Sequence, residues 1–82
     1  MSTKQIKLIW DFRGPAAAKT AEHHVIHLKE FIAAEKLQLN ITEVLHLNDM
    51  YSLAFLVVEE SEMLKVRDAL KPHRGEIYNP QN

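Results

Sequence analysis

Apolar and polar residues alternate across residues 4–13, with Ile6, Leu8, Trp10 and Phe12 set against Lys7, Asp11 and Arg13. A period of two is that of a strand with one buried face. Ile9 interrupts the polar set, so the second face is not wholly wet. Gly14-Pro15 closes the strand, and proline suits the first turn of a helix, where its missing N–H has no partner to lose. The period then becomes helical over Pro15–Leu37. Ala17, Ala21, His24, Val25, Leu28, Phe31 and Ile32 share one side, and Lys19, Glu22, His23, Glu30 and Lys36 take much of the rest. A second strand is predicted over Asn40–Leu47, with Ile41, Leu45 and Leu47 on one side, followed by a turn over Asn48–Tyr51. A third strand follows over Ser52–Glu59, whose centre, Leu53–Val58, is apolar on both faces, as in a central strand. Ser61 is the expected N-cap of a second helix reaching about Lys71, with Met63, Val66, Ala69 and Leu70 as its buried stripe and Pro72 as its stop. Gly75 opens a last strand, Glu76–Asn79, and residues 78–82 read as a loose C-terminal tail.

The resulting order, β-α-β-β-α-β, resembles the ferredoxin-like split βαβ plait. That resemblance implies an α+β fold: a four-stranded antiparallel sheet in the order 4-1-3-2, with both helices on one face. The first and third strands are then central, and they are the two most apolar strands in the chain. The other sheet face has no helix. Of the sets Leu53, Phe55, Val57 and Ala54, Leu56, Val58, only one can face the helices. The other is expected to join Ile9 and Val44 as an exposed apolar patch. Monomers rarely carry large patches of this kind, so a homodimer through the open sheet face is expected.

Composition narrows the classes further. Eighty-two residues make one α+β domain, 1–82, with a thin core that association with a second copy would enlarge. The absence of cysteine excludes disulfides, thiolate chemistry and Cys-based zinc sites, and a cytoplasmic setting is expected. A net charge of −1 with interspersed signs argues against a dedicated nucleic-acid binder. The longest apolar run, Leu53–Val58, is too short to span a membrane, and Met1-Ser2-Thr3-Lys4 begins no apolar signal segment. There is no phosphate loop, nucleotide fingerprint or nucleophile–base pair, and no cofactor is expected.

Two constellations carry candidate chemistry. In the expected topology the loop after the first strand, the hairpin and the loop before the last strand meet at one end. Arg13, Gly14, His73 and Arg74 then gather beside the N-terminus of the first helix, a combination suited to a carboxylate or phosphate. The bland alternative is a set of solvated charges that merely complement a helix dipole, or an Arg13 neutralised by Asp49. The second constellation is His23 and His27, four apart on a helix, with Glu30 three residues on, which is chemically adequate for a divalent metal. It is not the protease zinc motif, because His24 stands where that motif needs glutamate.

These features place a small homodimeric ligand-binding or regulatory module first, taking a small anion at the loop end. One alternative is a small cofactor-free enzyme. The plait is shared with acylphosphatases, whose first-loop arginine Arg13 resembles, although Asp11-Phe12-Arg13-Gly14-Pro15 lacks that family's glycine-rich loop. It also underlies dimeric α+β barrel enzymes, whose histidine patterns the five histidines here do not match. The other alternative is a protein–protein interaction module with no small-molecule ligand.

Overall fold

A computed structural model describes residues 4–78. The elements run β1 (Gln5–Arg13), α1 (Ala17–Glu35), β2 (Ile41–Asn48), β3 (Tyr51–Glu59), α2 (Glu60–Leu70) and β4 (Arg74–Ile77). The sheet order is β2-β3-β1-β4, which is 4-1-3-2 counted from the other edge, and every neighbouring pair is antiparallel. The apolar strands β1 and β3 are central, since burying both faces of a strand requires a neighbour on each side and cover above and below.

Both helices pack on one face. Leu8 and Trp10 of β1 and Ala54, Leu56 and Val58 of β3 form a single core with Val25, Leu28 and Ile32 of α1 and Val66 of α2. Trp10 is 4 % exposed, and its indole N–H donates to the Leu70 carbonyl at 3.1 Å, tying β1 to the end of α2. A buried indole gains from a polar partner for its one donor. The stripe expected on α2 is narrower than its spacing suggests: Val66 is fully buried, Met63 and Leu70 are half-buried, and Ala69 is exposed.

Three expectations need correction. Ser61 does not cap α2: the helix starts at Glu60, with Glu59 at the N-cap in an extended conformation and no side-chain cap bond. The Glu60 N–H is taken by the Lys4 carbonyl at 3.0 Å, so the strand beside it supplies what a cap would. The last strand begins at Arg74 rather than Glu76, because Gly75 and Arg74 already pair with Leu8 and Ile9. Tyr78 is also tied down, its N–H donating to Gln5 at 2.8 Å; the remainder of the expected tail, 79–82, lies outside the described residues.

The third correction concerns the second sheet face. Val44 pairs with Ala54 and therefore points to the helices, where it packs on the main core. Nor are the residues that remain bare. Ile9, Leu53, Phe55 and Val57 form a second cluster, each buried within the chain, with Leu39, Ile41 and Tyr78 packed against it. The Lys7 ammonium lies 4.6 Å from the Phe55 ring centroid. The broad apolar patch that suggested a face-to-face dimer is thus largely covered.

Both helices end on a lysine in the left-handed conformation, Lys36 at φ 53° and Lys71 at φ 52°. Each cap N–H returns to a carbonyl of the last turn. No described helix is long and apolar enough to cross a membrane.

Candidate functional site

The β1–β3 register pairs Arg13 with Tyr51 and Asp11 with Leu53, while β4 brings Arg74 opposite Ile9. All these side chains lie on the sheet face away from the helices, at the end where β1 leaves the sheet. Asp11 is the centre of what results. Arg74 holds it with two bonds, Nε to Oδ2 at 3.0 Å and Nη2 to Oδ1 at 3.1 Å. The Tyr51 hydroxyl donates to Oδ1 at 2.5 Å. The Arg74 bond, chiefly, holds the Asp11 carboxyl at about 2 against an ordinary 3.8, with partial burial opposing and Tyr51 assisting. Arg74 is correspondingly pushed up. Arg13 is not bonded to this carboxylate; its guanidinium stacks 4.0 Å from the Tyr51 ring centroid.

His73 completes the cluster from the α2–β4 loop. Its backbone N–H donates to Ile9, and its Nδ1 accepts the Asp11 backbone N–H at 2.9 Å. An acceptor Nδ1 must carry a lone pair, so the proton of the neutral ring sits on Nε2, which becomes a donor. Of the four residues expected to hold an anion, then, His73 and Arg74 meet around Asp11, and Arg13 joins them only through Tyr51. Gly14 stands apart: its N–H is spent on the Met50 carbonyl at 2.7 Å, and its φ of 106° makes the sharp exit from β1. No side chain caps the first turn of α1 and no acidic residue lies in it.

Beside this cluster, on the helix side of the sheet, a groove of about 500 Å³ opens between β4 and α2. Ile6 and Leu8 floor it, because Gly75, opposite Leu8, has no side chain to cover them. A Cβ at Gly75 would sit 3.3 Å from Leu8 Cδ2 and 3.9 Å from Ile6 Cγ2. Met63 and the exposed Ile77 form its apolar walls, and His73, Arg67 and the Arg74 position complete its rim, the Arg74 guanidinium itself lying on Asp11 across the sheet. Among the described residues the Arg67 guanidinium has only long contacts, 3.3 and 3.4 Å to neighbouring Asp68. Glu76 is the acidic residue of the lining.

The histidines of α1 divide between two faces. His23 and His27 are exposed, with Nε2 atoms 3.0 Å apart, and Glu30 lies 3.5 Å from His27 Nδ1. Among the described residues no three His, Cys, Asp or Glu side chains are grouped closely enough to hold a metal. His24 faces inward against Trp10 and Phe12, at ring-centroid distances of 4.8 and 5.5 Å. Its Nε2 is buried without a partner, and burial pushes its pKa below the ordinary 6.5.

One polar chain had no signal in the sequence. Ser52 Oγ lies 2.9 Å from His46 Nδ1, and His46 Nε2 lies 3.2 Å from Glu22 of α1. The residue types evoke a nucleophile and its base, but Ser52 is fully buried and cannot meet a substrate. The chain is a strut joining β3, β2 and α1. It depends on the β2–β3 register, which slips between His46 and Asn48 beside an Asn48 side-chain turn to Met50.

Compared with family models, with curated proteins and with solved structures, the chain matches none.

Proposed function

We propose that this domain is a small ligand-binding module whose ligand is an organic anion with an apolar body, lodged in the groove between β4 and α2. The observation that carries this reading is His73. With its Nδ1 engaged by the Asp11 N–H, it offers an Nε2–H donor at the rim of a groove floored by Ile6 and Leu8. A few placed polar groups around an apolar floor are the usual anatomy of a small-molecule site. The anionic head is met by His73 and Arg67; Arg74, on an edge strand, reaches it only by turning around that edge and leaving Asp11. The apolar body replaces water over the floor that Gly75 leaves open. This is a binding chemistry and not a catalytic one: the acid, the base and the serine at hand are either committed to partners or buried. The fold that holds it is inferred to be a plait of the ferredoxin-like kind, on strand order and helix placement.

Hexanoate tests the reading, with hexanol and hexylammonium as probes lacking the charge or reversing it. Hexanoate is expected to shift the amide resonances of His73, Gly75 and Ile77 saturably, and the other two to do so far more weakly. Equal responses to all three would refute an anion site, and no response to any would refute the groove.

A second reading, association of two copies, moves from the sheet face to its edge. β2 is an eight-residue edge strand with exposed Leu45 and Leu47 and neither lysine nor proline. The opposite edge, β4, has four residues and carries Arg74 and Glu76. Charge and short length are the common protections of an edge, and β2 has little of either.

A further inference from the structure

On the outer face of α1, apart from the groove and the Asp11 cluster, the two exposed imidazoles of His23 and His27 converge. Their Nε2 atoms are 3.0 Å apart and their rings stand at 76° with centroids 4.6 Å apart. Two nitrogens at that distance share one proton when both rings are neutral: one donates and the other accepts. Glu30 approaches the other side of His27, 3.5 Å from Nδ1. A carboxylate there favours a proton on Nδ1, which leaves the His27 Nε2 lone pair free to point at its neighbour.

We infer that His23 and His27 form a two-nitrogen chelate for a divalent transition-metal ion of tetragonal preference, Cu2+ or Ni2+, with Glu30 as a positioning residue for His27 and not a ligand. The ion takes both Nε2 lone pairs: the proton on His23 Nε2 passes through solvent to its own Nδ1, so both rings stay neutral, and water fills the remaining positions. The distance selects the geometry. With metal–nitrogen bonds of about 2.05 Å, nitrogens 3.0 Å apart subtend roughly 94° at the ion. That is close to the right angle of adjacent positions in a square-planar or octahedral shell. A tetrahedral zinc site would need the nitrogens spread to roughly 3.3 Å, working against the side-chain conformations that bring them together. The intrinsic affinity order, in which Cu2+ exceeds both Ni2+ and Zn2+, acts in the same direction. The ion is not a folding requirement, since the cores are built without these two side chains.

The experiment titrates the full chain with Cu2+ and follows the electron paramagnetic resonance spectrum, with Ni2+ and Zn2+ as competitors. One Cu2+ per chain is expected, with two imidazole nitrogens in its equatorial plane. Both His23→Ala and His27→Ala should abolish that signature while leaving the far-UV spectrum unchanged, and His46→Ala should not alter it. Glu30→Gln should weaken binding by roughly 10- to 100-fold, the usual range for a group that orients a ligand. Imidazole nitrogen spectra of the unsubstituted chain with Zn2+ add a check that needs no variant: Nε2 of His23 and His27 should move at high zinc, and those of His24 should not. A copper signature that survives either alanine variant overturns the site. Zinc displacing copper at equal concentration overturns the geometric argument. An unchanged affinity in Glu30→Gln overturns the role of Glu30.

Discussion

Replacing Asp11 by asparagine separates what this carboxylate does for the fold from what it withholds from a ligand. The side chain keeps its shape and can still accept from Tyr51, but its charge, and with it the paired bond to Arg74, is lost. The drop in the Asp11 pKa from 3.8 to about 2 corresponds, at about 1.36 kcal/mol per pH unit, to roughly 2.4 kcal/mol of stability. Arg74 is 47 % exposed, so solvent screens the pair and about 1 kcal/mol is expected to survive. A loss of that size lowers Tm by about 4–8 °C in a domain of this length. The pH dependence follows from the direction of the shift. The folded state holds the carboxylate charged to lower pH than the unfolded state does. Its contribution is therefore complete above the unfolded value of 3.8, and is lost as pH falls through 3.8 towards 2. Urea titrations of the parent and Asp11→Asn between pH 7 and 2.5 should show curves about 1 kcal/mol apart at pH 7 that converge in acid. Hexanoate titrations of the same two proteins should show the opposite preference: tighter binding to Asp11→Asn, because Arg74 is released from Asp11 and keeps only the long 3.8 Å contact to Glu76. Parallel stability curves across that range would refute the ion-pair argument. Hexanoate binding that is unchanged or weaker in Asp11→Asn would refute the claim that Asp11 and the ligand compete.

Filling the groove should abolish binding without unfolding the chain: Gly75→Val places methyl groups over Leu8 and Ile6, and hexanoate should no longer shift the His73 amide while Tm moves by only a few degrees. His24 is held neutral by burial, with its pKa below 6.5, so the unfolded chain binds the extra proton. Stability should therefore fall as pH drops below about 6.5, and His24→Phe should flatten that limb in a thermal-melt series; an identical slope in both proteins would contradict it. Ser52→Ala leaves His46 Nδ1 without its buried partner and should cost about 1 kcal/mol in urea unfolding. If copies associate along β2, light scattering at high concentration should give twice the chain mass, and Leu45→Lys should return it to one.

Much of the architecture was legible because it follows from local periodicity. The alternation of Ile6, Leu8, Trp10 and Phe12, and the doubly apolar Leu53–Val58, identify the two central strands without any knowledge of their partners. What escaped depends on register. Val44 reads with the exposed set of Ile9 until β2 is aligned against β3, where pairing with Ala54 turns it to the helices. Ser61 resembles an N-cap in isolation, yet Lys4, distant in sequence, supplies the carbonyl that settles where α2 starts. Topology alone brings the loops of Arg13, His73 and Arg74 to one end, and there His73 and Arg74 meet on Asp11 while Arg13 stacks on Tyr51. That Asp11 rather than Asp49 would lie at its centre follows from the strand pairing that sets β4 beside β1. In the sequence Gly75 reads only as the opening of the last strand; in the sheet it is the missing side chain over which the groove opens.

Lys36 and Lys71 give an engineer somewhere to work. A left-handed residue with a Cβ costs roughly 1–2 kcal/mol that glycine does not incur, offset in part by glycine's looser unfolded chain. Neither lysine is in the groove or the Asp11 cluster. Lys36→Gly and Lys71→Gly should therefore raise Tm while leaving hexanoate and copper affinities unchanged. The doubly substituted chain would be a sturdier background in which damaging changes, Asp11→Asn and Ser52→Ala among them, remain folded enough to be measured. The two helix ends are in that sense unspent stability, held where it can be drawn on without altering any surface a ligand would touch.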